Sequence, residues 1–369
     1  MIEGHGDDAW KYKVTINADF STNVWHGGLN AGLQAHLQDT IATITHYPEA
    51  AAQTLQGEAA ANYGVRSDQV LVTNGATEAI YLIAQAFRPL PPDRNASSHK
   101  KWLPAGGIPA STTILTPAFS EYEDACRGQG VSIQRQPWTS VTAETRFADG
   151  LVFCCNPNNP TGATLPVTLL RQLIQTHSET IFVVDESYIE FTRATKSILP
   201  LLDRYHNLLI LRSLTKSCCI PGLRIGFAIG GHEIISQLRA CKMPWSVNQL
   251  AIEAARYIFR HPQSFALPLD RLLDDTARWQ KELQAATGWR IHDTDTHYFL
   301  VEIGDSSRPM APFTAAALKF HLVSRHGLLI RDASNFYGLT PFHFRVACQS
   351  PDHNQLLTDA LRQCSRTGI

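Results

Sequence analysis

Ile181-Phe182-Val183-Val184-Asp185-Glu186-Ser187-Tyr188 runs four apolar residues into a carboxylate. Leu208-Leu209-Ile210-Leu211-Arg212-Ser213-Leu214-Thr215-Lys216 runs four into a hydroxyl-rich turn that ends in lysine. Apolar runs of this length, without alternation, predict strands buried on both faces. The pattern recurs on either side. Val70-Leu71-Val72, Ile114-Leu115, Leu151-Val152-Phe153-Cys154 and Ile225-Gly226-Phe227-Ala228-Ile229 are further runs, and helical patterns follow at Thr77–Phe87, Glu121–Arg127, Pro166–His177 and Glu233–Cys241. Such alternation predicts an α/β domain with a mainly parallel central sheet. In these sheets ligands gather at the carboxyl ends of the strands, where Asp185 and Lys216 stand.

The flanks read differently. Residues 1–30 are irregular. Helices are expected over 29–45 and 50–63, the second stopped by Gly64. The stretch from Asn248 to Gly288 reads as helical, and its part Leu269–Thr287 is expected to join two units. Strands at Tyr298–Ile303, Leu328–Arg331 and Phe344–Ala347, with helices at Pro312–Arg325 and Asp352–Gln363, predict a smaller α+β domain. The expected division is 1–45 as an N-terminal arm and part of the small domain, 46–268 as the large domain, and 269–369 as the small domain. Arg88–Ser111, heavy in Pro, Gly, Ser and Lys, reads as a long loop.

Composition narrows the function. Of 369 residues 44% are hydrophobic and 18% charged, with 32 basic against 33 acidic side chains. A chain this long buries a large core without a metal or disulfide. Balanced charge argues against a nucleic-acid partner. No run of uncharged apolar residues is long enough for a membrane span. The polar start Met1–Asp8 is not a secretory signal. Eight cysteines with no C-x-x-C pair predict reduced thiols, no bound metal and a cytoplasmic protein.

Four segments at strand ends carry chemistry. Asn74-Gly75-Ala76-Thr77-Glu78 is a glycine turn entering a helix, whose free N–H groups can cradle an anion. Asn156-Pro157-Asn158-Asn159-Pro160-Thr161-Gly162 is a rigid turn that aims its amides. Asp185, at the end of a buried strand, needs a partner, either a structural cation or a cationic ligand nitrogen. Lys216 sits among small hydroxyls, with Arg224 eight residues on; a desolvated lysine there can attack a carbonyl.

In this order the segments resemble the pyridoxal-phosphate (PLP) enzymes of the aspartate aminotransferase superfamily, fold type I. Within it the chain is similar to the histidinol-phosphate aminotransferase group. His5-Gly6, Asp19-Phe20-Ser21-Thr22-Asn23, Ile220-Pro221-Gly222-Leu223-Arg224, Met243–Asn248, Arg331–Phe336 and Phe344–Ala347 resemble the threonine-phosphate decarboxylases of cobalamin synthesis. The resemblance implies PLP as cofactor and roles for single residues. Lys216 would hold the PLP aldehyde and move protons, Asp185 would pair with the ring nitrogen, and Asn159 and Tyr188 would bond the ring's 3-oxygen. Gly75, Ala76, Thr77, Ser213, Thr215 and Arg224 would hold the phosphate. Phe119 would stack on the ring, with Tyr122 as the alternative. Tyr47 would reach the phosphate of a second subunit, which implies a homodimer. Arg345, Arg331, Asn23 and His5 would hold a small phosphorylated amino-acid-type substrate. The sequence departs from the decarboxylase pattern at Asn23-Val24-Trp25-His26-Gly27-Gly28 and in the length of 88–111.

Two other readings compete. Ser213-Leu214-Thr215-Lys216 also fits the Ser-x-x-Lys of penicillin-recognising acylases, but their Ser-Asp-Asn and Lys-Thr-Gly elements are missing. A PLP-binding DNA regulator would need a basic segment ahead of the cofactor domain, and the first forty or so residues are not basic. Between decarboxylation and transamination the sequence leaves the choice open.

Overall fold

A computed structural model describes residues 6–88, 111–304 and 313–369. His5, most of the expected 88–111 loop and Pro312 therefore lie outside the described residues. β1 (Ala18–Asp19) is followed by α1 (Ala31–Thr40), which Asn30 caps by accepting from Leu33 N–H at 3.0 Å. The helix expected over 29–45 thus starts later and tightens into a 3₁₀ turn at Ile41–Thr45. α2 (Gln53–Tyr63) ends at Gly64, which takes the left-handed C-cap conformation at φ 67°.

The larger layer comprises β2 (Val70–Thr73), α3 (Gly75–Ala86), β3 (Ser111–Thr116), α4 (Glu121–Gly128), β4 (Ser132–Pro137), β5 (Leu151–Cys155), α5 (Val167–Thr176), β6 (Ile181–Asp185), β7 (Leu208–Ser213), β8 (Gly226–Gly230) and α6 (His232–Cys241). The strand order is β2-β8-β7-β6-β5-β3-β4. Every pair is parallel except that β8 runs against both β7 and β2. β4 was not among the expected strands. It is a sheet edge, polar and partly exposed, and its Ser-Ile-Gln-Arg-Gln-Pro text has no apolar run to reveal it.

The expected helix over 248–288 divides into α7 (Gln249–Arg260) and α8 (Leu269–Thr287). Pro262 and Pro268 lie between them and cannot donate backbone hydrogen bonds to continue a helix. Alternate residues of the sheet face opposite cores. Val152, Val184 and Ile210 pack with Leu55, Leu173 and Ala255, whereas Phe153, Val183 and Leu211 pack with Ile80, Tyr122 and Leu238.

α8 serves two cores. Its Leu272 enters the second of these, and its Trp279 and Leu283 enter a third. That third core lies against β9 (Arg290–Ile291), β10 (Tyr298–Glu302), α9 (Ala315–His326), β11 (Leu328–Leu329), β12 (Arg331–Asp332), β13 (His343–Ala347) and α10 (Pro351–Thr367). Four of these strands form an antiparallel sheet in the order β12-β13-β10-β9. The N-terminal β1 pairs in parallel with β11, and Phe20 beside it is fully buried in this third core. Among the described residues no helix is long and apolar enough to cross a membrane.

Candidate active site

The ends of β2, β6 and β7 converge. After β2 the chain turns at Gly75, whose φ is 75°, and enters α3. The Glu78 carboxylate reaches back to accept from Asn74 N–H at 2.6 Å. A Cβ on Gly75 would stand 2.6 Å from Arg224 Nη2, so the guanidinium lies directly against the turn. A Cβ on Gly226 would meet Ala76 N at 2.6 Å, so β8 also presses on the helix start. Ser213 Oγ and Thr215 Oγ1 are 2.8 Å apart at the end of β7. Backbone N–H groups at a helix start, two hydroxyls and a guanidinium thus surround one small space, a donor set suited to a phosphate.

Asp185 closes the far side. Its Oδ1 accepts from Ser187 N–H at 2.9 Å and from the Ser187 hydroxyl at 2.6 Å, and its Oδ2 accepts from the Tyr122 hydroxyl at 2.8 Å. Burial raises its pKa, while the Ser187 and Tyr122 hydrogen bonds and the charge of Lys216 act the other way. Lys216 is buried between the two ends. Burial lowers its pKa to about 8, helped by the positive charges of Arg224 and Arg345. The N-terminal arm is tied to this lysine: Trp25 N–H donates to Lys216 O at 3.1 Å, and Cys219 Sγ to Trp25 O at 3.0 Å. The departure at 23–28 therefore rests on the lysine turn itself.

The asparagine-rich loop separates its amides by role. Asn156 is bound to Leu165 through both amide atoms, and Asn158 donates to Pro117 O at 3.0 Å and to Thr161 Oγ1 at 2.9 Å. Asn159 is the one that faces the cavities, where its Oδ1 accepts from Arg345 Nη1 at 2.5 Å. Tyr188 is buried edge-on to Tyr298, with ring centres 5.1 Å apart. Phe119 faces the cavities, edge-on to Tyr122 at 6.0 Å. Tyr122 itself stacks on Phe153 at 4.9 Å and spends its hydroxyl on Asp185.

Two adjoining cavities, of about 100 and 430 Å³, share Thr77, Phe119, Asn159, Tyr188, Lys216 and Arg224. The larger also reaches Asn23, Arg331 and Arg345. The two arginines face each other in register on β12 and β13. Arg331 Nη2 donates to Asn335 Oδ1 at 2.8 Å, and Arg345 donates to Asn159 and to the Ser21 carbonyl. Among the described residues neither has a carboxylate within ion-pair distance. Burial and the charge of Arg345 push the Arg331 pKa down to about 9.

The structure brings together every expected cavity residue that is described except Tyr47. That side chain is 86% exposed, lies tilted against Trp245 with ring centres 5.5 Å apart and lines neither cavity. Sequence reading missed three contributors. Ser187 and the Tyr122 hydroxyl hold Asp185, and Asp7 lines the larger cavity with its N–H on Ser21 Oγ at 2.9 Å. The only signals were local ones: a serine two residues past the strand-end carboxylate, and an acid beside the His5-Gly6 segment.

These residues fit PLP. The cradle matches its phosphate, the Asp185 carboxylate its ring nitrogen, and the buried amine with a lowered pKa its aldehyde. The fold and the site together define a PLP-dependent enzyme of fold type I. More narrowly, the chain belongs to the aminotransferase class I and II family, which it matches over residues 17–361. A solved structure of L-threonine-O-3-phosphate decarboxylase from Porphyromonas gingivalis superposes with a TM-score of 0.83 at 35% identity, over 93% of this chain and 98% of that one. The threonine-phosphate decarboxylase of Salmonella typhimurium is 29% identical over 364 residues, 95% of this chain and 92% of its own. The histidinol-phosphate aminotransferase of Caldanaerobacter subterraneus is 28% identical over 334 residues, 87% of this chain and 84% of its own.

Proposed function

We propose that this chain decarboxylates a phosphorylated α-amino acid, O-phospho-L-threonine, with PLP as cofactor. The observation that carries the reading is the Arg331–Arg345 pair, two buried guanidiniums in register on one cavity without carboxylate partners among the described residues. Uncompensated buried charge is costly, and an anionic ligand relieves it. Two fork-shaped donors suit a substrate that carries both a phosphate and a carboxylate. The likeness to the Porphyromonas decarboxylase supports the same choice.

Bound PLP supplies an electron sink for a bond broken at the substrate's α-carbon. The chain's own residues do the rest. Asp185 would hold a proton at the ring nitrogen, Asn159 and Tyr188 would donate to the ring's 3-oxygen, and Phe119 would pack against the ring. Ala76 and Thr77 N–H, Ser213, Thr215 and Arg224 anchor the phosphate. Lys216, with its lowered pKa, would deliver the proton that the α-carbon gains when carbon dioxide leaves. Arg331 and Arg345 would orient the substrate in the larger cavity, and that orientation would decide which bond at the α-carbon breaks.

A second reading, a histidinol-phosphate aminotransferase, is supported by the Caldanaerobacter relative. Such an enzyme also binds a dicarboxylate, for which two arginines serve equally. One assay separates the two. The purified enzyme is incubated with O-phosphothreonine and, separately, with histidinol phosphate plus 2-oxoglutarate. Carbon dioxide from the first and no glutamate from the second is the expected result; glutamate without carbon dioxide overturns it.

Arg331→Gln is expected to raise KM for the phosphorylated substrate by roughly 10- to 100-fold, the worth of a charge-assisted hydrogen bond of ~1.5–3 kcal/mol. PLP absorbance should not change, and an unchanged KM would assign Arg331 to the fold. Gly75→Ala forces a side chain into a left-handed turn at a cost of about 1–2 kcal/mol and pushes Arg224 away. PLP affinity, titrated on the apo-protein, should fall by roughly tenfold.

We also propose a homodimer in which Tyr47 completes the partner's phosphate site. Tyr47 and the Trp245 ring beside it, 86% and 50% exposed, project apolar surface from the single chain. Light scattering should give twice the 40.9 kDa chain mass. A fully active monomer would refute the assembly.

A further inference from the structure

A second cluster of chemically active side chains lies outside the cavities, on the small-domain sheet. Glu302 on β10 is directly opposite His343 on β13 and directly opposite Arg290 on β9. His292 follows β9 and donates its N–H to Leu300 O at 3.0 Å, so it lies one pleat beyond Arg290 on the same face. The sheet thus places two imidazoles on either side of one carboxylate. His292 Nε2 and His343 Nε2 each stand 3.9 Å from Glu302 Oε2. The three ligand atoms all lie within 4.8 Å of one another, and the imidazole centres are 5.6 Å apart.

We infer that His292, Glu302 and His343 form a binding site for a divalent cation of the zinc, cobalt and nickel class. Four observations carry it. The donor set, two imidazoles and one carboxylate, is the type these ions take and that magnesium and calcium do not. His292 Nε2 is buried and makes no hydrogen bond, so a ligand atom is aimed into the cluster without a partner. The His343 ring is held by Thr340, whose Oγ1 lies 2.8 Å from Nδ1. Nδ1 also accepts from Thr340 N–H at 3.2 Å, and these contacts hold the ring with Nε2 toward Glu302, an outer support of the kind metal-bound histidines use. His292 and Glu302 are partly exposed, which leaves an entry path and an open position for water.

The geometry needs little change. Metal–ligand bonds of about 2.0–2.1 Å in a tetrahedron bring ligand atoms to roughly 3.3 Å apart. The observed 3.9 Å separations close to that by rotamer adjustment. The competing charge is Arg290, whose Nη1 lies 3.6 Å from Glu302 Oε2; it is 72% exposed and free to swing into solvent. The site would cross-link β10, β13 and the segment after β9. His343 lies two residues from Arg345 on the same face of β13, so a bound ion braces the strand that carries a substrate arginine.

The test uses the PLP-loaded full chain, stripped with EDTA and desalted. Titration with cobalt, followed by its visible absorption, and with zinc, followed by calorimetry, should give one ion per chain. His292→Ala, His343→Ala and Glu302→Gln should each weaken binding by more than about 100-fold, beyond the 10–100-fold lost with an outer-shell partner. Glu302→Gln keeps the side chain's shape, so it carries the test even where a histidine variant fails to fold. Removing the other close histidine pair, His321 and His326 on α9, should leave the stoichiometry and affinity unchanged. Absence of stoichiometric binding, or binding lost with His321 and His326 but indifferent to Glu302→Gln, overturns the proposal.

Discussion

Replacing Lys216 with alanine is expected to abolish turnover, by at least ~10⁴-fold, because it removes both the anchor for the PLP aldehyde and the proton carrier. The expectation rests on geometry. Arg224 and Ser213 mark one end of the smaller cavity and Asp185 the other, and Lys216 lies between them at the end of β7. Borohydride reduction followed by mass spectrometry should place the pyridoxyl group on Lys216; a label on Lys242 or Lys196 would overturn the assignment. Lys242 already has its amine on Ser246 Oγ at 2.5 Å. The pH dependence follows from the lowered pKa. Only the neutral amine captures an aldehyde, so PLP capture by the apo-protein should accelerate as pH rises through about 8 and level off above it. An ordinary lysine would keep accelerating to about 10.4. Stopped-flow absorbance distinguishes the two.

Asp185→Asn is expected to keep PLP bound yet cut turnover by roughly 10³-fold. A unit charge ~4 Å away at an effective dielectric constant near 20 is worth about 4 kcal/mol, which converts to about three orders of magnitude in rate. The substitution preserves shape but removes the charge that keeps the ring nitrogen protonated. Thermal melting should change little, since asparagine can still accept from Ser187. Turnover at the level of the unchanged enzyme would make Asp185 a structural strand-end residue.

Sequence alone determined what is local. Buried strands announce themselves as unbroken apolar runs, and the turns after them by Gly, Pro and Asn, so the mainly parallel sheet and the positions of Gly75, Asp185 and Lys216 could be read from single segments. The polar edge strand β4 could not, because an edge buries too little to require an apolar run. Nor did the text of the loop separate Asn159 from Asn156 and Asn158; only folding shows that the latter two are used in fastening the turn. Tyr122 reads as a stacking ring, yet it packs against Phe153 and its hydroxyl holds Asp185. Tertiary structure also created pairs between separate strands. Arg331 meets Arg345, and His292 and Glu302 meet His343, through strand register. Register is set by which faces of separate strands bury together, and a slip of one residue would turn each of these side chains to the other face. No short window of sequence carries that information.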